Sequence, residues 1–287
     1  MNNILRSVGI VLLTACVSLC LSNMAFAQYG PPSPAQIAAM KAAAAKPTPH
    51  APDGHPDITG IWFSQTTGRI QGPGALKTDG KSIVINQSNP GTVTPKPLQA
   101  DDPKRPPYKA ELLSKVFDLN VRQTETDPGW GCKNPGIPRL GPPHQVVQTP
   151  KQVVFLYSDW SGEYFRLIPT DGRGHNEDAE ETYMGDSIGR WDGDTLVVDS
   201  TSFTDDSWIA DDGMFHSTAM HVIERLRREG DVLHYQVTVE DPQVLAKPWA
   251  LPPRDLMVQT DPLEEAPPCV EHDRGHLTNL DHHGNPR

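Results

Sequence analysis

Basic residues are scarce in this chain. Its 287 residues carry 25 Lys and Arg against 36 Asp and Glu, a net charge of −11. Nucleic-acid affinity rests on Lys/Arg footprints along the phosphate backbone, so that deficit excludes a phosphate-backbone binder. Long apolar runs are missing beyond the first 27 residues, which leaves no later stretch to span a membrane. Cysteine is rare, with only Cys16, Cys20, Cys132 and Cys269, and no C-x-x-C occurs. What is plentiful is Pro and Gly, 29 and 23 residues, too many for a helical bundle or coiled coil.

Residues 1–27 read as a secretory leader. Arg6 gives the charged start, Val8 to Leu21 the apolar run and Ala25-Phe26-Ala27 the cleavage site. A lipobox-like Leu13-Thr14-Ala15-Cys16 is the rival, but it would leave an oddly apolar mature end. The expected product is soluble and periplasmic or secreted. Cleavage after Ala27 removes two cysteines, and in an oxidising compartment the surviving pair, Cys132 and Cys269, is expected to form a disulfide. A thiolate ligand or nucleophile is the alternative.

Residues 28–56 are Pro/Ala-rich and read as a tether with at most one frayed helical stretch. A single β-rich domain is expected over 57–262, followed by a His-rich tail over 263–287. After Pro106-Pro107, the spacing of Tyr108, Leu112, Val116 and Phe117 predicts a helix over 107–119. From His144 the pattern becomes strand-like: 145–148, 152–157, 163–168, then hairpins turning at Asp192-Gly193 and Glu229-Gly230-Asp231. Adjacent hairpins without helical crossovers argue for an antiparallel meander. Closure into a barrel, or stacking as a sandwich, would protect its edges, and the barrel is preferred. Gly60-x-Trp62 resembles the glycine–tryptophan signature of lipocalin-type barrels.

The segments V-V-Q-T-P-x-Q-V-V, F-R-L-I-P-T-D-G-R-G-H, M-G-D-S-I-G-R-W-D-G-D-T-L-V-V-D, E-R-L-R-R and V-E-D-P lie between Val146 and Trp249. Together they resemble a largely uncharacterised family of exported bacterial proteins over roughly residues 57–270. The resemblance implies export and a β-rich fold, and it carries no catalytic residue across.

Candidate chemistry centres on Asp171-Gly172-Arg173-Gly174-His175, a turn following a strand that ends at Pro169. A rim turn of this kind can present His175 as general base, Asp171 to orient it and Arg173 to hold an anion, with His216 on an opposite loop. Solvated turn residues satisfying backbone groups are the competing account. Gly185-Asp186-Ser187-Ile188-Gly189 matches G-x-S-x-G, but a hairpin rather than a helix follows it, so a nucleophile elbow is not expected. Residues 171–212 hold thirteen carboxylates and two arginines. Ca²⁺ could lodge among Asp192, Asp194, Asp205, Asp206, Asp211 and Asp212, although the spacing fits no EF-hand. The tail histidines His272, His276, His282 and His283 offer a Zn²⁺ or Cu²⁺ site, and no other cofactor is indicated. Trp160 and Trp208, in polar loop sequence, are candidates to stack on a ligand, with packing the commoner role.

Two functions fit these expectations. One is an exported lyase, isomerase or hydrolase acting on a small apolar or aromatic compound by His/carboxylate acid–base chemistry. The other is a non-catalytic periplasmic barrel that binds such a ligand.

Overall fold

The computed structural model describes residues 33–64, 77–78, 83–84, 105–159, 161–263, 265 and 269, all within the compact unit Pro32–Arg287. The leader over 1–27, Trp160 and the tail histidines lie outside the described residues. In chain order the elements are α1 (Pro34–Ala44), β1 (Gly60–Ser64), β2 (Lys77–Thr78) and β3 (Ile83–Val84). A 3-10 turn at Ala110–Leu112 leads into α2 (Leu113–Val121) and α3 (Gln123–Thr126). There follow β4 (Gln145–Gln148), β5 (Gln152–Asp159), β6 (Gly162–Pro169), β7 (Asp186–Asp192) and β8 (Thr195–Thr201). The last strands are β9 (Trp208–Ala210), β10 (Met214–Phe215), β11 (His221–Glu229), β12 (Val232–Glu240), β13 (Trp249–Ala250) and β14 (Arg254–Gln259).

Nine strands form one antiparallel sheet in the order β6-β5-β4-β1-β14-β12-β11-β8-β7, nearly closed into a barrel, with β13 beside β12. The hairpins form where alternation and turn chemistry meet. Gly193 and Gly230 take positive φ at the β7–β8 and β11–β12 turns, a conformation glycine adopts without steric cost. Two-residue periodicity then turns Leu233, Tyr235, Val237 and Val239 inward on β12 and Val222, Glu224 and Leu226 inward on β11. The barrel interior is filled by side chains, with Trp62, Phe155, Tyr157, Ile168, Leu196 and Leu226 among the largest buried. Trp62 donates its indole N–H to Ile58 O at 3.0 Å, and the Arg228 guanidinium lies 5.2 Å above its ring.

The two ends of the strand order meet across a seam. Opposite Gly189 on β7, a Cβ would come within 2.9 Å of Thr170 Cγ2 and 3.0 Å of Ile168 Cγ2, beside β6. Glycine is what lets β7 approach β6 there. The same motif's Gly185 takes φ +69, and a Cβ on it would stand 2.5 Å from Thr201 O.

The stretch read as a tether is folded onto the domain from Ser33 onward. Ser33 and Gln36 form a capping box with Pro34 at the first helical turn. Ala43 is buried, Asp231 donates its N–H to Ala43 O at 3.0 Å, and Lys46 pairs with Asp231 at 2.6 Å. Low side-chain contrast hid this docking, because alanine packs by its smallness rather than by any periodic apolar stripe. Near the other end of the chain, Cys132 and Cys269 form the expected disulfide, spanning 137 residues. Among the described residues no helix is long and apolar enough to cross a membrane.

Candidate functional site

Strand register brings a chain of imidazoles and carboxylates together on the outer face of the barrel. The β11–β12 ladder sets His221 opposite Glu240, and the β8–β11 ladder sets Asp199 opposite Ile223. Asp186 opens β7, and His175 lies on the loop joining β6 to β7. His175 Nδ1 is 2.7 Å from Asp186 Oδ2 and its Nε2 is 3.0 Å from Asp199 Oδ1. His221 Nε2 reaches the same Asp199 oxygen at 2.9 Å, and its Nδ1 reaches Glu240 Oε2 at 3.2 Å. The order is Asp186–His175–Asp199–His221–Glu240.

Both partners of His175 are carboxylates, so both ring nitrogens donate, which is the imidazolium arrangement. Partial burial works against the charge, but the bonds to Asp199 and Asp186 outweigh it and the pKa is raised above 6.5. Asp199 is correspondingly lowered, its own burial outweighed by the bonds from His175 and His221. A charged ring with both nitrogens occupied has no lone pair to accept a proton. As positioned here, His175 is a clasp across β7 and β8.

The other expected residues sit apart. Arg173 donates Nε and Nη2 to the Asp171 carboxylate at 2.9 and 2.6 Å, an exposed pair within the turn. That bonding pulls the Asp171 carboxyl down to about 2. Neither side chain has a hydrogen bond or ion pair to His175. His216 is buried before β11, where Nδ1–H donates to Ser217 O at 3.0 Å and Nε2 accepts from Ser207 at 2.8 Å. Burial lowers its pKa, in keeping with this neutral ring. The four expected catalytic residues thus fall into three separate hydrogen-bonding groups.

Ser187 of the G-x-S-x-G match is buried on β7 with no helix after it. It belongs to a cluster inside the barrel that sequence reasoning missed. Arg166 on β6 donates Nη1 to Glu224 Oε2 at 2.5 Å and to the Tyr157 hydroxyl at 3.1 Å. Its Nη2 donates to Ser187 Oγ at 2.9 Å and Ser200 Oγ at 2.8 Å. Tyr235 completes the set by donating to Glu224 Oε1 at 2.8 Å. Burial opposes the guanidinium charge and Glu224 more than restores it, so Arg166 stays a cation. The cluster ties β6 across the seam to β7, β8 and β11.

Most of the acidic turns find basic partners. Asp192 pairs with Arg225 at 2.8 Å, Asp206 with Lys133 at 2.5 Å, and Arg139 binds both Asp127 and Asp211. Asp212, between Asp211 and the α2-facing Gly213, is raised to about 6 by burial and then by Asp211. Among the described residues no group of three or more His, Cys, Asp or Glu side chains is placed to hold a metal ion. Trp208 is buried, with Arg139 5.6 Å above its ring, so it packs in the core.

One cleft of about 350 Å³ opens at the β4–β5–β6 edge, within the size range of small-ligand sites. Among the described residues it is lined by Gln145, Leu156, Tyr157, Glu163, Tyr164, Phe165, Leu263 and Glu265. Phe165 and Leu167 are 63% and 55% exposed, while Arg166 between them is buried. That inverts the usual assignment of an F-R-L sequence: Glu224 draws the arginine inward, and the two apolar side chains must face out. The disulfide at Cys269 fastens the segment carrying Leu263 and Glu265. Comparison with family models, curated proteins and solved structures gives no match for this chain.

Proposed function

We propose that this protein is an exported, non-catalytic binding protein for a small apolar or aromatic compound, which it holds in the β4–β5–β6 cleft. The observation that carries the reading is the combination of a ligand-sized cleft with exposed apolar side chains beside it, on a barrel whose described interior is packed with buried side chains. The disulfide and the leader-like N-terminus support the extracytoplasmic location. The test is calorimetric screening of small aromatic compounds against the parent and Phe165→Ser. Losing an aromatic wall of the cleft is expected to weaken a hit roughly 10–100-fold, the value of burying such a ring. A hit whose affinity is the same in Phe165→Ser and Leu156→Ser binds elsewhere and overturns the assignment.

The exported lyase, isomerase or hydrolase remains a second reading because of one feature, the Asp186–His175–Asp199–His221–Glu240 chain. It requires a substrate to displace a carboxylate from an imidazole nitrogen. Turnover that falls about 10²–10⁴-fold in His175→Ala, in protein with unchanged folding, would favour it.

A further inference from the structure

The strand that closes the sheet carries a bulge, and the bulge turns an arginine inward. β13 pairs Trp249 with Val239 and Ala250 with Thr238, and Leu251 continues that register by donating its N–H to Val237 O at 2.9 Å. β14 then resumes with Arg254 opposite Tyr235. Three steps from Leu251 to Arg254 face two steps from Val237 to Tyr235, which is a one-residue bulge at Pro252-Pro253. Neither proline has an N–H to lose from the ladder, so the bulge falls where these residues are tolerated. Its effect is to reverse the alternation. Trp249 and Leu251 are buried, so an unbroken strand would turn Pro253 and Asp255 inward and Arg254 outward. With the extra residue, Arg254 shares the inner face with buried Leu256, while Asp255 meets His234 on the outer face at 2.7 Å.

The guanidinium lies against Gly141, where a Cβ would stand 3.0 Å from Arg254 Nη1. Among the described residues Arg254 has neither a hydrogen bond nor an ion pair. That separates it from the other largely buried arginines. Arg139 holds Asp127 and Asp211, Arg166 holds Glu224, and Arg228 bonds Gly230 O and pairs with Asp231. Glu224 is already shared by Arg166 and Tyr235. Burial pushes the Arg254 pKa down, with Tyr235 acting the other way, yet a guanidinium stays charged at physiological pH. A desolvated cation without a partner is costly, and this one is half-buried rather than sealed, so dissolved ions can reach it. We propose that Arg254 is an anion-binding site that takes a small oxyanion, a carboxylate or a phosphate, on the planar fork of its guanidinium. The net charge of −11 repels anions at a distance, so contact with the guanidinium, and not long-range steering, holds the ligand. Arg254 is not among the residues that line the β4–β5–β6 cleft, so the two sites are tested separately.

The probes are sodium acetate and inorganic phosphate, each titrated at constant ionic strength against sodium chloride, whose monatomic anion cannot bridge both arms of the fork. The readout, on the full mature chain, is the Arg254 Nε–Hε resonance in ¹⁵N NMR, identified by its loss in Arg254→Met. A saturable shift with acetate alone assigns a carboxylate, with phosphate alone a phosphate, and with both a site open to either oxyanion. Arg254→Lys keeps the charge without the fork and should weaken the probe about tenfold. Arg254→Met should abolish the rise in melting temperature that the probe gives the parent. Should Arg254→Met fail to fold, the parent and Arg254→Lys titrations decide. No saturable shift with either probe, a probe-induced rise that persists in Arg254→Met, or an Arg254→Lys affinity equal to the parent's overturns the site.

Discussion

Replacing Arg166 by Met tests the physical account of how the barrel closes. The guanidinium is almost wholly buried and makes hydrogen bonds to Glu224, Tyr157, Ser187 and Ser200. Met fills much of the volume, so the dominant loss is electrostatic. Ser187 and Ser200 can still satisfy each other at 2.9 Å, but the Glu224 carboxylate keeps only the Tyr235 hydroxyl. Breaking a buried pair from one side costs about 3–5 kcal/mol. For a domain of this size each kcal/mol moves Tm by about 2–4 °C, so Arg166→Met should melt roughly 6–20 °C below the parent. The assay is thermal denaturation followed by near-UV circular dichroism with the disulfide intact. The double variant Arg166→Met/Glu224→Leu removes both charges and should recover most of the loss. A single variant within about 2 °C of the parent, or a double variant no better than the single, would refute the reasoning.

Three further outcomes are expected. The raised pKa of His175 means that its clasp on Asp186 and Asp199 is fully present below the unfolded value near 6.5 and is lost as pH rises through the folded one. The Tm difference between the parent and His175→Gln should therefore be larger near pH 6 than near pH 9, and a pH-independent difference would exclude the clasp. Mature protein denatured without reductant should titrate no free thiol, and Cys132→Ser/Cys269→Ser should lose about 2–5 kcal/mol in urea unfolding. Gly230→Ala should cost more than about 1 kcal/mol and speed proteolysis near Lys46, because φ is +56 and the new Cβ would sit 2.4 Å from Ala43 O; a protease-resistant N-terminal segment in that variant would show that α1 docks by other contacts.

The hairpins were legible because each carries its own evidence: alternation within the strand and Gly at the turn, as in β11, Glu229-Gly230-Asp231 and β12. The same hairpin register placed His221 opposite Glu240, so the last link of the imidazole–carboxylate chain could have been read from it. Asp199 and Asp186 could not, since their meeting with His175 depends on how β8 lies against β11 and how the loop before β7 folds back. Arg166 was misleading for another reason. Two-residue periodicity allows either set of alternate residues to face inward, and Phe165 and Leu167 make the wrong choice look better until Glu224 is known to be inside. The six residues of β14 were missed because both their partners, β1 and β12, are supplied by distant or already hairpin-paired segments.

That last strand also governs the order in which the molecule can be made. Ile61 pairs with Gln259, and β14 lies between β1 and β12. The contacts that unite the two halves of the sheet are therefore among the most remote in sequence, a topology that folds slowly because loop closure precedes its reward. In any delivery of the chain from N- to C-terminus, β4–β5–β6 and β7–β8–β11–β12 can assemble as they emerge, while β1 and β12 each wait with one bare edge. Such edges invite pairing with the wrong chain. A truncation before Arg254 would leave that vulnerable intermediate as the end state, so aggregation rather than a smaller barrel is its natural fate.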